Sequence, residues 1–330
     1  MQPSIAVIVP IRNGLPFLHE AIQCVHAQSY SPLEVVVVDD ASTDGSPDAA
    51  RRLGAKIIRT LAVGPAAARN AGIRATASEF IAFLDCDDLW RPGVLGRLAD
   101  ALIANPGAGF AQGLIQNFRE REDGSRQLFT SPYRFVNLGA CLYRRSLFES
   151  IGLLDESLRL GEDVDFFMRC WENDIRRIQT DDVTLLYRRH DNSMTAQARG
   201  TDLGTIQIVN RRLDRIRKGL YDPKAPRSVP AIEYIGLGPE SQDWRVETPA
   251  NSLLEKLKVV RREYPIWRNY RREVLDCGYF EFLAKRWSAR STWHVPFIAA
   301  QRAVRKFRSG GPGQRGSIAG GKSESPLVAE

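Results

Sequence analysis

An apolar run that ends in three carboxylates is the feature that most restricts how this chain can fold. Residues Phe80 to Leu84 are all apolar, and Asp85, Asp87 and Asp88 follow at once. Such a run is typical of a strand that is buried on both faces, as in a parallel sheet. Because unpaired buried charge is costly, the acids are expected at the carboxyl end of the strand, where open α/β sheets bind ligands. Clustered carboxylates favour Mg²⁺ or Mn²⁺ and, through the metal, a diphosphate ligand.

The same acids have a second explanation as the start of a helix. Asp88 would lie near the N-terminus of a helix from about Pro92 to Asn105, with Pro92 in its first turn, and such positions favour these residue types. Capping explains one or two of the acids but not the whole group. We therefore favour a metal–diphosphate site in which Asp88 serves mainly the helix start.

Two further segments repeat the order of strand, turn and helix. Residues 5–9 precede a helix over about 15–28, and residues 34–38 precede a helix whose start is marked by residues 42–45. This alternation predicts an α/β fold with a doubly wound, mostly parallel, Rossmann-like sheet. The first strand is followed by neither Gly-x-Gly-x-x-Gly nor a Walker-type lysine, so dinucleotide and P-loop sites lose their main sequence support.

Other polar residues fall at similar positions. Asp39 and Asp40 close the second strand, where a carboxylate can accept hydrogen bonds from a base or a ribose. Arg69 is expected to open a helix, where it could pair with phosphate or remain solvated. Asp163 begins another helix and suits either a general base in a cleft or a favourable carboxylate at a helix dipole.

Taken in chain order, seven segments resemble the inverting glycosyltransferases of family 2, which have the GT-A fold. The segments are Val7–Gly14, Glu34–Ser46, Arg69–Gly72, Phe83–Trp90, Asn137–Arg145, Gly161–Arg169 and Tyr187–Thr195. Each motif is modest alone, but their order is specific, and together they span about residues 4–195. The resemblance implies transfer of a sugar, with inversion, from a nucleoside-diphosphate donor to a glycan or lipid-linked glycan. A UDP-sugar is the expected donor, and cell-envelope polysaccharide synthesis is the expected setting.

The resemblance also assigns donor-binding residues to the ends of the first two strands. Pro10, Arg12, Asn13, Asp39 and Asp40 would contact the donor, with Pro10 and Asp39 at the nucleotide base. The family often has a tyrosine where this chain has Arg12. An arginine can also stack on a base, so the identity of the base stays open.

The implied metal site involves the acids that follow the third apolar strand. Asp87 would be the direct ligand of Mn²⁺ or Mg²⁺, and Asp85 would lie on the ribose side and share the metal. Arg69 would lie near the base and the diphosphate. His190 matches a family position near the diphosphate or metal, although a lone histidine is more often structural than a ligand.

The remaining assignments concern the acceptor. By resemblance, Asp163 is the general base that takes the proton of the acceptor hydroxyl, and Glu162 helps to shape the acceptor site. An alternative is a non-catalytic nucleotide-sugar-binding or scaffold protein with a basic tail for a membrane or partner. The presence of Asp85, Asp87 and Asp163 together argues against that alternative, because such a protein needs no base.

These assignments divide the chain into four parts. We predict a GT-A catalytic domain over residues 1–220, with a nucleotide-binding half over about 1–106 and an acceptor half over about 107–220. A proline-rich connector would follow at 221–250, then a helical C-terminal extension at 251–308 and a disordered tail at 309–330. The second half should add shorter strands to the sheet and include a helix from about Asp202 to Gly219.

The extension carries the positive charge of the chain. The formal net charge is +7, whereas residues 251–308 alone hold 14 basic and 5 acidic residues with many aromatics. Three explanations compete: peripheral contact with an anionic membrane, packing of the aromatics on the catalytic domain, and nucleic-acid binding, which we do not expect. Five scattered cysteines and the lack of an apolar span predict a cytoplasmic protein, or one at the inner face of the cytoplasmic membrane.

Overall fold

One mixed sheet organises the part of the chain that the structure describes. This computed structural model describes residues 2–190, 193–194, 205–222, 225–229 and 231–235. The predicted extension at 251–308 and tail at 309–330, and most of the connector, lie outside the described residues. The strands are β1 Ile5–Ile11, β2 Leu33–Asp40, β3 Lys56–Thr60, β4 Phe80–Phe83, β5 Leu89–Trp90, β6 Phe110–Glu120, β7 Arg126–Leu128, β8 Cys141–Arg144 and β9 Arg177–Arg188. Their order is β3-β2-β1-β4-β8-β6-β9-β5, with β7 paired to β6.

Helices join and cover these strands. They are α1 Leu15–His26, α2 Ser46–Arg52, α3 Pro65–Arg74, α4 Val94–Ile103, α5 Arg145–Ile151, α6 Glu162–Glu172, α7 Thr205–Arg217 and the short α8 Ala231–Tyr234. Within the described residues, no helix combines the length and apolar character that crossing a membrane requires.

The first half of the sheet is parallel, as the strand–turn–helix alternation predicts. Strand β1 pairs in parallel with both β2 and β4, and β2 pairs in parallel with β3. The valines at 35–38 are buried, as in a strand covered on both faces, and helices α2 and α3 both contact β2. The α/β fold class is therefore confirmed.

The second half of the sheet is mixed, so the description "mostly parallel" applies only to the first half. Strand β8 runs antiparallel to both β4 and β6, β5 runs antiparallel to β9, and β6 and β9 are parallel. The pairing of β6 with β9 is irregular between Gln112 and Ile115. The expectation of shorter strands here is wrong for β6 and β9, which have 11 and 12 residues.

Two helix starts differ from those expected. Helix α3 begins at Pro65, so Arg69 lies within it instead of opening it. Helix α4 begins at Val94, after Gly93 in a left-handed conformation with φ 74°. Pro92 therefore precedes the helix, and Asp88 is not its cap.

A close contact sets the position of α3 on the sheet. A Cβ atom added at Gly72 would lie 2.5 Å from Cγ2 of Ile8 on β1. Only glycine allows the helix to approach the strand this closely. The approach carries Arg69 to the carboxyl ends of β1 and β4.

Candidate functional site

The loops after β1 and β2 are bound to each other at the carboxyl edge of the sheet. The strands run in register, with Ile11 opposite Asp39. The backbone N–H of Asn13 donates to Oγ of Ser42 at 2.9 Å, and Oδ1 of Asn13 accepts from the N–H of Thr43 at 2.8 Å. Parallel strands place their ligand sites at this edge. Pro10, Arg12 and Asn13 lie at this edge, with Arg12 and Asn13 exposed, and their contact with a donor stays a prediction.

The two acids that close β2 differ in their surroundings. Asp39 is buried; its Oδ1 accepts from the N–H of Ser42 at 3.0 Å, and its Oδ2 lies 3.7 Å from Nε of Arg59. Asp40 accepts from the hydroxyl of Thr60 at 2.6 Å and from the backbone N–H groups of residues 63 and 64 at 2.8 and 2.9 Å. Burial alone would raise the pKa of Asp40, but these hydrogen bonds hold it below its ordinary value. The carboxylate of Asp40 is thus committed to the loop after β3.

Arg69 joins the end of β4 to the start of α6. Its two terminal nitrogens donate to Oδ1 of Asp85 at 2.5 Å and to Oε1 of Glu162 at 2.6 Å. Burial lowers the pKa of Arg69, but the two carboxylates outweigh it and raise that pKa above its ordinary value. The structure therefore directs both terminal nitrogens of this guanidinium to carboxylates, and Glu162 is buried against it.

Asp163 lies next to this ion pair in the first turn of α6. The helix starts after Gly161, which is left-handed with φ 83°, and its first turn contains Glu162, Asp163 and Asp165, where a helix dipole favours acids. Oδ1 of Asp163 accepts from the N–H of the following Val164 at 2.7 Å.

The electrostatic surroundings of Asp163 are unusual for a carboxyl group. Burial first, and then the negative charges of Glu162 and Asp85, raise the pKa of Asp163 to about 7, against the opposing effect of Arg69. A carboxyl group with a pKa near the working pH can accept a proton and release it again. Asp163 is therefore the strongest candidate for a general base in the described residues.

A second contact at the same edge joins Asp87 to His190. Nε2 of His190 lies 3.0 Å from Oδ2 of Asp87, and the imidazole ring lies 4.9 Å from the ring of Phe17. Nδ1 of His190 is buried and has no hydrogen-bond partner in the described part of the chain. Burial and the charge of Asp85 raise the pKa of Asp87, while His190 lowers it. The structure thus places His190 beside Asp87, and its predicted position near a diphosphate or metal stays a prediction.

Asp88 has a structural partner that the sequence did not reveal. Its Oδ1 accepts from the backbone N–H of Arg188 at 2.8 Å, so it ties the loop after β4 to the end of β9 instead of starting α4. The side chain of Arg188 donates from Nε to the carbonyl of Asp87 at 2.6 Å. Arg188 stands in the segment that carries the resemblance, but only His190 in that segment was singled out.

The loop residues 85–88 bring these groups together. Asp85 contacts Arg69, Asp87 contacts His190, and a Cβ atom added at Gly14 would lie 2.8 Å from Sγ of Cys86. The loop therefore lies between the end of β1, the middle of α3 and the end of β9.

The donor atoms present suit a metal that arrives with a ligand. The described residues contain no group of three or more His, Cys, Asp and Glu side chains arranged to hold a metal ion. Asp85 and Asp87 nevertheless offer two carboxylates whose mutual repulsion contributes to the raised pKa of Asp87. Mg²⁺ is commonly held by one or two carboxylates together with substrate phosphates. The residues fit that mode of binding rather than a complete cage of protein ligands.

Part of this chain is similar in sequence to known proteins. Residues 6–154 match the family model described as Glycosyl transferase family 2. The succinoglycan biosynthesis protein ExoO of Rhizobium meliloti is 32% identical over 190 residues, which cover 49% of this chain and 53% of ExoO. The chain spans between about a third and two thirds of the length of the curated relatives compared with it.

Two solved structures share the fold at low sequence identity. The mannosyltransferase PcManGT of Pyrobaculum calidifontis, in complex with GDP-Man and Mn²⁺, aligns with a TM-score of 0.51 at 20% identity, covering 94% of this chain and 81% of that one. S. aureus TarS residues 1–349, in complex with UDP-GlcNAc, aligns with a TM-score of 0.52 at 21% identity, covering 86% and 81%. The fold of the described residues is thus GT-A, as the sequence resemblance implied.

Proposed function

We propose, because residues 6–154 match the family model described as Glycosyl transferase family 2, that this chain transfers a sugar from a nucleoside-diphosphate donor to an acceptor hydroxyl. The observation that carries the proposal is Asp163, a half-buried carboxyl group at the start of α6 with a pKa raised to about 7. It lies in one ion-pair cluster with Asp85 of the acidic loop, through Arg69 and Glu162.

The donor and acceptor classes rest on the compared proteins. PcManGT was solved with GDP-Man and Mn²⁺, and TarS with UDP-GlcNAc. ExoO is named for the synthesis of succinoglycan. These names support a nucleotide-sugar donor and the synthesis of a polysaccharide. We keep a UDP-sugar as the expected donor and a glycan or lipid-linked glycan of the cell envelope as the proposed acceptor.

The reaction needs one proton acceptor and a stabilised leaving group. Asp163 accepts the proton of the acceptor hydroxyl while the oxygen of that hydroxyl attacks the anomeric carbon. The new C–O bond forms as the bond to the diphosphate breaks, and the nucleoside diphosphate departs with the electron pair. Attack opposite the leaving group inverts the anomeric carbon, and only one carboxyl group takes part in proton transfer, unlike in glycoside hydrolysis.

Other residues orient the reacting groups. Asp85 and Asp87 would hold the divalent ion, which when bound neutralises charge that develops on the leaving diphosphate. Arg69 holds Asp85 and Glu162 in place beside Asp163. Pro10, Asp39 and the loop around Asn13 would hold the nucleoside half of the donor.

The test measures release of nucleoside diphosphate by the full chain from a panel of UDP- and GDP-sugars with Mn²⁺, with and without candidate acceptors. Asp163→Asn should abolish transfer while donor and Mn²⁺ still bind, because the base is lost and the amide can keep the hydrogen bond from Val164. The matched control is Asp48→Asn, which removes the same charge at an exposed position on α2. Turnover near that of the wild type in Asp163→Asn would refute the role of Asp163.

The same experiment separates the second candidate function. A non-catalytic nucleotide-sugar-binding protein would bind a donor with Mn²⁺ but release no diphosphate in either the wild type or Asp163→Asn. A wild type that binds no nucleotide of the panel would overturn both candidates. The anomeric configuration of the first product, read by NMR, tests inversion.

A further inference from the structure

Arg188 holds the acidic loop by its main chain and its side chain at once. Its backbone N–H donates to Oδ1 of Asp88 at 2.8 Å, and its Nε donates to the carbonyl of Asp87 at 2.6 Å. These two bonds fasten consecutive residues of the loop to the last residue of β9. Asp87 is the residue whose carboxylate faces His190 and the predicted metal site.

The rest of the guanidinium is held equally closely. Its terminal nitrogens donate to Glu120, at the end of β6, and to Glu20 on α1. The group lies over two aromatic rings, 5.0 Å from the centre of Phe17 and 4.7 Å from that of Phe118. The side chain is 2% exposed. All three guanidinium nitrogens are thus in use, each with a different segment of the chain.

This set of contacts requires the geometry of arginine. A guanidinium presents donors in a planar fork and stacks on rings, whereas the ammonium of lysine is a single point charge. A lysine at 188 could keep the positive charge near Glu20 or Glu120. It could not also donate to the carbonyl of Asp87 from the middle of the side chain.

The charge of Arg188 matters for the same loop. Asp88 is buried, and it lies in the same short loop as Asp85 and Asp87. The loop therefore gathers three acids, and Arg188 is a buried cation that offsets their repulsion. Arg188 contacts the main-chain carbonyl of Asp87, and His190 contacts its carboxylate.

We propose that Arg188 is a positioning residue that sets the orientation of Asp87 for the donor diphosphate and its metal. This inference rests on the proposed function, because it assigns Asp87 to that ligand. Arg188 touches neither the base Asp163 nor the Arg69 cluster in any contact described above. Its loss should therefore weaken metal-dependent donor binding much more than it slows the chemical step.

The experiment compares Arg188→Lys with Arg144→Lys in the full chain. Arg144 is a matched structural arginine: it donates from Nε to the carbonyl of Ala108 at 2.9 Å and from a terminal nitrogen to that of Leu102 at 2.6 Å, and it lies 5.4 Å from the ring centre of Phe80. It belongs to β8, outside the acidic loop. Calorimetry measures the affinity for UDP and for GDP with Mn²⁺, and steady-state kinetics gives KM and kcat.

The two variants should differ from each other, and in Arg188→Lys the donor KM and kcat should respond differently. Both variants should melt at lower temperature, but only Arg188→Lys should weaken the Mn²⁺-dependent nucleotide affinity, by about 10- to 100-fold, as loss of an outer partner of a metal ligand does. The donor KM should rise with that affinity while kcat at saturating donor and Mn²⁺ changes much less.

Two results would overturn the inference alone: wild-type affinity in Arg188→Lys, or an equal loss of affinity in Arg144→Lys, which would indicate general loosening. In both cases the wild type would still bind and turn over a donor, so the proposed function would stand. A wild type that binds neither nucleotide with Mn²⁺ would overturn the proposed function and this inference with it.

Discussion

Replacing Asp163 by asparagine should stabilise the folded chain although it removes the proposed base. The pKa of Asp163 is raised from 3.8 to about 7 in the folded protein. A carboxyl group whose pKa is higher in the folded than in the unfolded state binds more protons when folded. Its contribution therefore makes the protein less stable as the pH rises from about 4 to about 7. Asparagine is neutral throughout and can still accept from the N–H of Val164.

The size of the effect follows from the shift. A rise of about three pKa units corresponds to about 1.36 kcal/mol each. Above pH ~7, where Asp163 is ionised, it therefore lowers the free energy of unfolding by at most about 4 kcal/mol. At pH ~5 Asp163 is mostly protonated in the folded protein, and the same relation gives a destabilisation of about 2 kcal/mol. The difference in free energy of unfolding between Asp163→Asn and the wild type should therefore grow by about 2–3 kcal/mol from pH ~5 to pH ~8.

Urea unfolding of both proteins at these two pH values, followed by tryptophan fluorescence, checks this prediction. Asp87, Asp88 and Glu172 also have raised pKa values, but they are present in both proteins, so the comparison isolates residue 163. Asp48→Asn serves again as the control and should follow the wild type. If Asp163→Asn is no more stable than the wild type at pH ~8, or if the difference does not change with pH, then Asp163 is an ordinary ionised carboxylate and the argument for a poised base fails.

Three further predictions concern the same site and its support. Transfer should fall about tenfold as the pH is lowered from ~8 to ~6, because Asp163 must be ionised to accept a proton; a flat pH–rate profile for kcat would contradict this. Asp87→Ala should remove the Mn²⁺ dependence of donor binding, which calorimetry measures, and unchanged affinity would refute the metal assignment. Gly72→Ala should destabilise the protein by about 1–3 kcal/mol, since the new Cβ would lie 2.5 Å from Ile8; Gly96→Ala on α4, where nothing lies within 4 Å, should leave the urea midpoint unchanged or higher.

The strands and the position of the acidic loop could be predicted from local pattern. Residues 35–38 and 80–84 are buried as apolar runs must be, and the acids emerge at the carboxyl edge as the cost of buried charge requires. Helix ends were less predictable. Gly93 in a left-handed conformation delays α4 to Val94, and Pro65 starts α3 earlier than the position of Arg69 suggested. A local pattern indicates that a helix exists more reliably than where it begins.

The partners of the charged residues could not be predicted, because they come from distant parts of the chain. Arg69 and Glu162 are 93 residues apart, and Asp88 and the Arg188 N–H are 100 apart. Arg69 bridges two carboxylates that the sequence did not reveal as its partners, while Asp88 was expected to start a helix and instead holds β9. A long-range pair leaves no periodic signal in a single sequence.

The sequence by itself thus determined that this chain forms a parallel α/β core with acids at its carboxyl edge, because burial and periodicity act between neighbours in the chain. Tertiary structure alone decided which of those acids are neutralised and by what. Packing of α3 on β1 brings Arg69 to Asp85, and the pairing of β9 with β6 brings Arg188 to Asp87. The raised pKa of Asp163 arises in the same way, since burial and neighbouring charge are properties of the folded arrangement and not of any one segment.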